Sequence, residues 1–267
     1  MNKKKVALVL STGGAWGIAH IGVIEELERQ GYEITSISGC SMGALIGAAY
    51  VTGKLQDCKD LLCALNTRKI LGLMDFSLFG EGLLKGNKIM RKLSEIVPDV
   101  NIEDLSIPYT AVATNIRNNQ EVVFDHGSLH DAVRASISLP LLFTPYRKDD
   151  MVLIDGGVSN PLPLSRVKRH EEDLLVAVVA RGPKENIPDM KDRSYKYSKM
   201  NILIEASVTM VQRQVQTSIN SYHPDIVIRV KNKNYSLFQF NKSSEFINAG
   251  SIAAQKALAD YLDNNNA

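Results

Sequence analysis

The stretch SISGCSMGALIG at 36–47 restricts the fold more than any other part of the sequence. It places Ser41 between Gly39 and Gly43 in the spacing G-x-S-x-G, after an apolar run and before a run of small residues. A strand that ends in this spacing and leads straight into a helix is the setting of a nucleophile elbow. In that turn the flanking residues must be small, and the serine backbone is strained so that Oγ stands above the sheet. The stretch therefore predicts a strand, a tight turn and a helix, with Ser41 as a candidate nucleophile.

A second interpretation of Ser41 stays open at this point. The spacing is short enough to occur by chance, and Gly39 and Gly43 could form an ordinary turn in which Ser41 caps the helix. The strand before the turn and the helix after it favour the nucleophile. A helix that starts there directs its free N–H groups and the positive end of its dipole at the serine. Such donors can stabilise an oxyanion, each by about 3–4 kcal/mol.

The chain opens with alternating strand and helix patterns. A continuous apolar run predicts a strand at 4–10, and a glycine-rich turn leads to a helix at 17–30. A second strand at 34–38 and a second helix at 42–53 follow. This β-α-β-α order predicts a three-layer α/β/α fold, in which helices cover both faces of a mainly parallel central sheet.

The later patterns extend the same architecture. The polar stretch at 181–198 predicts a loop, with a domain boundary as the alternative, but strand patterns continue beyond it and we expect a single domain over 1–267. Further strands are predicted at 109–115, 121–124, 151–154, 174–180 and 226–230. Further helices are predicted at 57–65, 87–97, 128–137, 199–219 and 244–262.

Charge and cysteine content argue against several classes of protein. The net charge of +2 is too small to indicate a nucleic-acid-binding surface. Three cysteines without a C-x-x-C pair give no disulfide framework and indicate a reducing compartment, so we expect a cytoplasmic protein. The apolar run at 6–10 is too short for a signal peptide, and no stretch is long enough to span a bilayer. Any membrane contact is therefore expected to be peripheral.

A glycine-rich loop precedes the first helix. In LSTGGAWGIAH at 10–20, Thr12, Gly13 and Gly14 lie between the first strand and the first helix. In a parallel sheet this loop and the serine turn open at the same edge, where glycine N–H groups can be directed at a substrate oxygen. A dinucleotide-binding loop is the alternative. Its G-x-G-x-x-G fingerprint fails at Thr12, and the second strand ends without the acid that would bind a ribose.

The base that a nucleophilic serine needs is harder to assign. Asp155 has a suitable context, because in MVLIDGGVSNPLP at 151–163 it ends an apolar strand and precedes two glycines. Its carboxylate would face the same edge as the serine turn, although Asp-Gly is also a common hairpin turn. The five histidines have no context that singles one out, and each is expected at the surface; they are His20, His126, His130, His170 and His223.

Four segments in this order resemble the motifs of the patatin-like phospholipase family. They are TGGAWG at 12–17, GCSMG at 39–43, ASISLPLLFTP at 135–145 and DGG at 155–157. The resemblance implies a patatin-like α/β fold and an acyl hydrolase that works with a Ser-Asp dyad and no histidine.

The resemblance also implies a role for each motif. Ser41 would be the nucleophile, Asp155 the base, and the N–H groups of Gly13, Gly14 and Met42 the oxyanion hole. Neither a cofactor nor a metal ion is implied, and the sequence shows no cluster of metal ligands, so calcium dependence is not expected. Other motif residues are expected to support these turns; they are Thr12, Gly17, Gly39, Gly43, Gly156 and Gly157.

Two residues depart from the family pattern G-G-G-x-R/K-G. Thr12 stands in place of the first glycine, and Trp16 stands in place of the basic residue. We expect Trp16 to face the substrate and to offer an apolar wall to an acyl chain. The apolar residues at 70–84 are predicted as a mobile cover over the site or as a core helix with an irregular loop. Apolar residues of the helix at 199–219 are predicted to pack in the core; they are Leu203, Val208, Met210 and Val211.

The sequence thus predicts a serine lipid acyl hydrolase, which would be a phospholipase, a lysophospholipase or another carboxylic esterase. The alternative is a family member that binds a lipid or a partner with weak or no catalysis, because Thr12 and Trp16 alter the oxyanion loop. The expected substrate is a lipid or an acyl ester. We expect transient contact with a membrane surface, no nucleic acid and no cofactor.

Overall fold

A mixed β-sheet with helices on both faces forms the centre of the fold. The computed structural model describes residues 4–65, 87–140, 142–182, 199–231 and 239–266. The segment at 70–84, predicted as a cover or a core helix, lies outside these residues, and so does most of the polar stretch at 181–198.

The described residues form eight strands of one sheet. They are β1 (Lys4–Leu10), β2 (Tyr32–Cys40), β3 (Tyr109–Asn115), β4 (Gln120–Phe124), β5 (Tyr146–Lys148), β6 (Met151–Asp155), β7 (Leu174–Val179) and β8 (Ile226–Arg229). Parallel strands lie in the order β3-β2-β1-β7-β8. The strands β4 and β6 pair antiparallel with β3, and β5 pairs antiparallel with β6.

The helices connect these strands and cover the sheet. The first, α1 (Ala19–Arg29), follows a 3-10 turn over Gly14–Ile18, and Gly31 ends it with a φ of 81°. No helix in the described parts of the chain is long and apolar enough to cross a bilayer. The other helices are α2 (Met42–Val51), α3 (Leu55–Cys63), α4 (Asn87–Ser94), α5 (Leu129–Ser136), α6 (Lys199–Tyr222) and α7 (Ser243–Asn266).

Alternate residues of β1 face two separate apolar clusters. Val6, Leu8 and Leu10 belong to the larger cluster, which α1, α2 and α7 cover. Ala7 and Val9 belong to the smaller cluster beneath α6. All five side chains are fully buried, which is why the strand is apolar at successive positions. The predicted three-layer α/β fold is confirmed.

The strands β2 and β6 lie along the same edge of β3 and meet end to end. Residues 111–115 of β3 pair with β4 on one edge, which leaves the other edge for β2 and β6. There Cys40, the last residue of β2, lies opposite Val112, and Asp155, the last residue of β6, lies opposite Ala113. Because β2 is parallel and β6 antiparallel to β3, their carboxyl ends point toward each other. The fold thereby brings the residue after Cys40 next to Asp155.

Two features differ from the sequence-based predictions. The short edge strand β5 was not predicted, because Tyr-Arg-Lys shows no apolar alternation. Core packing was predicted along α6, but Leu203 and Met210 are 51% and 60% exposed, so that prediction is wrong for both residues. The helix packs on the smaller apolar cluster through Val211 and Val215, which lie in its second half.

Candidate active site

The turn between β2 and α2 has the shape of a nucleophile elbow. Ser41 has φ of 55° and ψ of −123°, a strained conformation for a residue with a side chain. A Cβ at Gly39 would lie 2.6 Å from the Gly43 carbonyl oxygen, and a Cβ at Gly43 would lie 2.4 Å from the Leu10 carbonyl oxygen. Both positions therefore require glycine, because the helix passes directly against its own strand and against the neighbouring β1.

The side chain of Ser41 contacts Asp155 and does not cap the helix. No side-chain cap hydrogen bond is formed at the start of α2. Instead Ser41 Oγ donates a hydrogen bond of 2.5 Å to Asp155 Oδ2. Ser41 is 8% exposed and Asp155 is 1% exposed. The interpretation of Ser41 as an ordinary helix cap is therefore wrong, and the two residues singled out from the sequence lie in direct contact.

Burial sets the acidity of Asp155. Desolvation raises the pKa of its carboxyl group from the ordinary 3.8 to about 6, and hydrogen bonds from Ser41 and Gly157 oppose that rise. The Gly157 N–H donates to Oδ1 at 2.7 Å, and the Cys40 thiol lies 3.9 Å from the same oxygen. A Cβ at Gly156 would lie 2.3 Å from the Val112 carbonyl oxygen, so the turn packs tightly on β3. Asp155 is thus mostly ionised at pH 7 and is a stronger base than an exposed aspartate.

Two serines of the segment at 135–145 hold the backbone of both residues in place. The Ser41 N–H donates to Ser136 Oγ at 2.8 Å, and the Asp155 N–H donates to the Ser138 carbonyl oxygen at 2.9 Å. Both serines are fully buried, and Arg134 Nη1 donates to Ser138 Oγ at 2.6 Å. The sequence drew attention to this segment only through the family resemblance and gave Ser136 and Ser138 no role. The sequence signal that could have found them is the S-x-S spacing of these two serines at the end of α5.

The three candidate oxyanion donors all lie at the beginning of a helix. Gly13 and Gly14 are the N-cap and first residue of a 3-10 helix, and Met42 is the first residue of α2. Their N–H groups consequently have no acceptor within their own helices.

The glycine-rich loop packs against both the elbow and the Asp155 turn. A Cβ at Gly17 would lie 2.4 Å from the Met42 Cβ. A Cβ at Gly157 would lie 3.2 Å from Thr12 Oγ1. The loop, the serine turn and the aspartate turn thus share one edge of the sheet.

Trp16 does not occupy the position that the sequence led us to expect. Its side chain is 1% exposed, and its ring centroid lies 4.6 Å from that of Phe246 on α7, with the planes tilted by 51°. The prediction that Trp16 faces the substrate is corrected accordingly, because the ring packs into the core between the loop and α7.

The histidines lie apart from the Ser41–Asp155 pair. All five are in described parts of the chain, and none is hydrogen-bonded to either residue. His20 was expected at the surface, but it is fully buried and its Nε2 lies 2.9 Å from the Ser11 carbonyl oxygen. Burial lowers its pKa to about 4, so His20 is neutral at pH 7. The surface prediction fails for His20 because α1 lies in the core.

Comparison with known proteins identifies the family. Residues 8–167 match the patatin-like phospholipase family, a range that is more than half of the chain and includes the Ser41 turn, the segment at 135–145 and Asp155. The chain belongs to the patatin-like phospholipase family.

Proteins of similar sequence are found in bacteria and in insects. An uncharacterised NTE family protein of Mycobacterium tuberculosis is 43% identical over 178 residues, which cover 67% of this chain and 49% of that protein. The neuropathy target esterase sws of Drosophila persimilis is 36% identical over 170 residues, which cover 59% of this chain and 11% of that protein. The chain thus spans about half the length of the mycobacterial relative.

Solved structures also align with nearly the whole chain. VipD from Legionella pneumophila covers 98% of this chain and 67% of its own, at 14% identity and a TM-score of 0.49. At that score the alignment adds nothing to the family assignment.

Proposed function

We propose that the protein is a serine lipid acyl hydrolase, which cleaves carboxylic esters through an acyl-Ser41 intermediate with Asp155 as the base. The direct, buried hydrogen bond from Ser41 Oγ to Asp155 Oδ2 is the observation that carries this proposal. Membership of the patatin-like phospholipase family supports ester hydrolysis, and so does the esterase among the relatives. Phospholipids, lysophospholipids and simpler acyl esters all fall within this class.

The proposed reaction proceeds in two stages. Ser41 Oγ attacks the ester carbonyl carbon while its proton passes to Asp155, and the N–H groups of Gly13, Gly14 and Met42 stabilise the oxyanion. The tetrahedral intermediate then expels the alcohol, which takes the proton back from Asp155. In the second stage Asp155 removes a proton from a water molecule that attacks the acyl-serine. The tetrahedral intermediate formed by this attack collapses, Asp155 returns the proton to Ser41 Oγ, and the carboxylic acid is released.

Burial is what makes a carboxylate a useful base here. An ordinary aspartate has a pKa of about 3.9 and binds protons weakly at neutral pH. Asp155, with its pKa raised by desolvation to about 6, binds a proton more strongly and is still mostly ionised at pH 7. A substrate that excludes water from the site would raise this pKa further. Apolar acyl chains should therefore assist the chemistry as well as the binding.

We expect turnover to increase with the length of the acyl chain. With p-nitrophenol as the common alcohol, kcat/KM should be at least about tenfold higher for the decanoyl ester than for the acetyl ester, because each buried methylene contributes about 0.8 kcal/mol. Initial rates below the solubility limit of each ester measure this dependence, with Ser41→Ala as the background. Equal rates for the two esters would argue against an apolar acyl site.

An apolar surface next to the Asp155 turn supports contact with a lipid surface. Val158 is 48% exposed and lies three residues beyond Asp155. Its carbonyl oxygen accepts a hydrogen bond from Gln214 of α6 at 3.2 Å. Leu203 and Met210 precede Gln214 on the same face of that helix and are also exposed. We call Val158, Leu203 and Met210 the apolar rim, and we propose that it touches the membrane from which acyl chains are taken.

Replacing the apolar rim should weaken binding to vesicles. We expect the double substitution Leu203→Ser and Met210→Ser to reduce co-sedimentation with phosphatidylcholine vesicles by roughly tenfold, because two exposed side chains lose the free energy of burial in lipid. Ile252→Ser is the matched control, since Ile252 is 56% exposed but lies on α7, which packs against α1. Unchanged sedimentation of the double variant would contradict membrane contact at this surface.

A family member that binds lipid without catalysis is the competing proposal. It predicts that Ser41 does not react with a fluorophosphonate, whereas the hydrolase predicts rapid labelling. The short contact with Asp155 favours the hydrolase, because a binding protein has no use for a strained serine that donates to a buried carboxylate. The presence of Trp16 in place of the family's basic residue does not weaken this conclusion, since the Trp16 ring packs in the core and not against Ser41 or Asp155.

A further inference from the structure

A buried arginine next to the glycine-rich loop has much of its hydrogen-bonding capacity unused. Arg181 is 9% exposed, and its Nε and Nη1 atoms have no hydrogen-bond partner among the residues that the structure describes. Its Nη2 atom lies 4.0 Å from Glu205 Oε1, which is beyond hydrogen-bonding distance. Burial lowers the pKa of Arg181, but a guanidinium remains protonated throughout the physiological range.

A comparison with Arg134 shows that this arrangement is unusual within the fold. Arg134 is buried to the same extent, yet it donates to Ser138 Oγ at 2.6 Å and to the Thr144 carbonyl oxygen at 3.1 Å. A buried charge without such partners destabilises a protein. The Glu205 side chain is 34% exposed and too distant to satisfy the guanidinium of Arg181. An anion from outside the chain would supply the missing acceptors.

The position of Arg181 ties it to the edge of the sheet where Ser41 and Asp155 meet. The residue before it, Ala180, donates its N–H to Ser11 Oγ at 3.0 Å, and its Cβ would lie 3.0 Å from a Cβ at Gly13. Arg181 thus directly follows the residue that supports a candidate oxyanion donor. The loop itself contains no basic side chain over residues 12–17.

The helix α6 connects Arg181 with the Asp155 turn. Gln212 donates to the Arg181 carbonyl oxygen at 2.6 Å. Two residues further along the helix, Gln214 donates to the Val158 carbonyl oxygen at 3.2 Å. The backbone of Arg181 is thus linked through α6 to the segment that follows Asp155.

We propose that Arg181 forms an anion subsite that binds a phosphate group on the alcohol side of the ester. This inference rests on the proposed hydrolase function and adds a specificity-determining residue to it. Unused N–H groups of the guanidinium donate to the phosphate oxygens, and its positive charge neutralises that of the phosphate.

The test compares two substrates that differ only in the phosphate. Octanoylglycerol and octanoylglycerol 3-phosphate carry the same acyl ester, and kcat/KM is measured for each below micelle formation. We expect the wild-type protein to prefer the phosphate-bearing ester by about tenfold or more, because hydrogen bonds to a charged group usually contribute at least this much. In Arg181→Gln this ratio should fall to about one, and Arg181→Lys should give an intermediate ratio.

Arg169→Gln is the matched control. Arg169 pairs with Asp225 at 2.7 Å near the beginning of β8. This is the end of the sheet where the parallel strands begin, whereas Ser41 lies where they end. Its replacement removes the same charge and should leave the ratio unchanged. Inorganic phosphate provides a measurement on the wild-type protein alone, which holds even where Arg181→Gln fails to fold. It should compete with octanoylglycerol 3-phosphate.

The outcomes separate this inference from the proposed function. A wild-type ratio of one, or a ratio that Arg181→Gln leaves intact, overturns the subsite while the hydrolase stands. Equal turnover of both substrates with inhibition of both by inorganic phosphate assigns the site to free phosphate and contradicts the head-group proposal. Absence of turnover together with absence of fluorophosphonate labelling of Ser41 overturns the proposed function itself.

Discussion

Ser41→Ala is expected to abolish ester hydrolysis while leaving the protein folded. The substitution removes the atom that would attack the ester, and the loss of a serine nucleophile typically lowers kcat by a factor on the order of 10⁴ or more. The fold should persist because the side chain of Ser41 bonds with Asp155 and forms no cap hydrogen bond to the helix that follows. Rates with a p-nitrophenyl ester, together with far-ultraviolet circular dichroism, measure both expectations.

Ser94→Ala is the control for this substitution. Ser94 lies on α4, and its hydroxyl donates to the Met90 carbonyl oxygen of the same helix at 2.8 Å. The control loses one hydroxyl group away from the elbow and should retain full activity. Substantial hydrolysis by Ser41→Ala would exclude Ser41 as the nucleophile and would direct attention to another residue.

Asp155→Asn is expected to lose activity, and its stability relative to the wild-type protein is expected to increase as the pH rises. The amide can still accept from Gly157 and donate to Ser41, so the local hydrogen bonds have an acceptable replacement. It cannot take a proton from Ser41, and we expect kcat to fall by a factor on the order of 10³ or more.

The stability effect follows from the raised pKa of the buried carboxyl group. In the folded protein the pKa of Asp155 is about 6, whereas its ordinary value is 3.8, so the folded state binds the proton more tightly than the unfolded chain. The free energy of unfolding of the wild-type protein therefore contains a contribution that is present below about pH 4 and is lost as the pH rises through about 6. A shift of about two pKa units corresponds to roughly 3 kcal/mol.

Urea unfolding between about pH 4 and about pH 8 measures the difference in free energy of unfolding between Asp155→Asn and the wild-type protein. Asparagine is neutral at every pH, so the stability of Asp155→Asn relative to the wild-type protein should increase across this range and level off above about pH 7. Asp263→Asn, in the exposed last turns of α7, is the control and should show no such increase. A difference that stays constant with pH would mean that the carboxylate is not destabilised by burial.

The sequence predicted best those elements whose pattern is determined by burial alone. The strands at 4–10 and 109–115 were predicted with their observed bounds, because both faces are covered and most of their residues are buried. The edge strand β5 has neither property and gave no signal. In the first half of α6 the sequence predicted burial that the structure does not show. An apolar residue on a helix gives the same sequence pattern whether or not another element covers it.

The proximity of Ser41 and Asp155 was predicted, but the fold produces it differently. The prediction placed the strand before Asp155 so that its end faces the same edge of a parallel sheet as the serine turn. In the structure β6 is antiparallel to β3, and Asp155 approaches Ser41 because β2 and β6 meet end to end along β3. Strand order and direction depend on contacts between distant segments, and periodicity in a single sequence does not report them.

The residues that the sequence misassigned act through contacts that only the fold creates. Trp16 was expected near the substrate, yet it packs against Phe246, which lies far away in the chain on α7. Ser136 supports the strained backbone of Ser41 from a segment almost a hundred residues later. A serine or a tryptophan has no local pattern that distinguishes these roles, so their assignment had to come from packing and hydrogen bonds.

Labelling by a fluorophosphonate, followed across pH, tests the pairing of Ser41 with Asp155 most directly. The account predicts one covalent adduct, located on Ser41 by mass spectrometry, whose rate of formation rises with a single ionisation near pH 6 in the wild-type protein. In Asp155→Asn the rate should be lower by orders of magnitude at every pH. Labelling of another residue, or an equally fast reaction in Asp155→Asn, would contradict it.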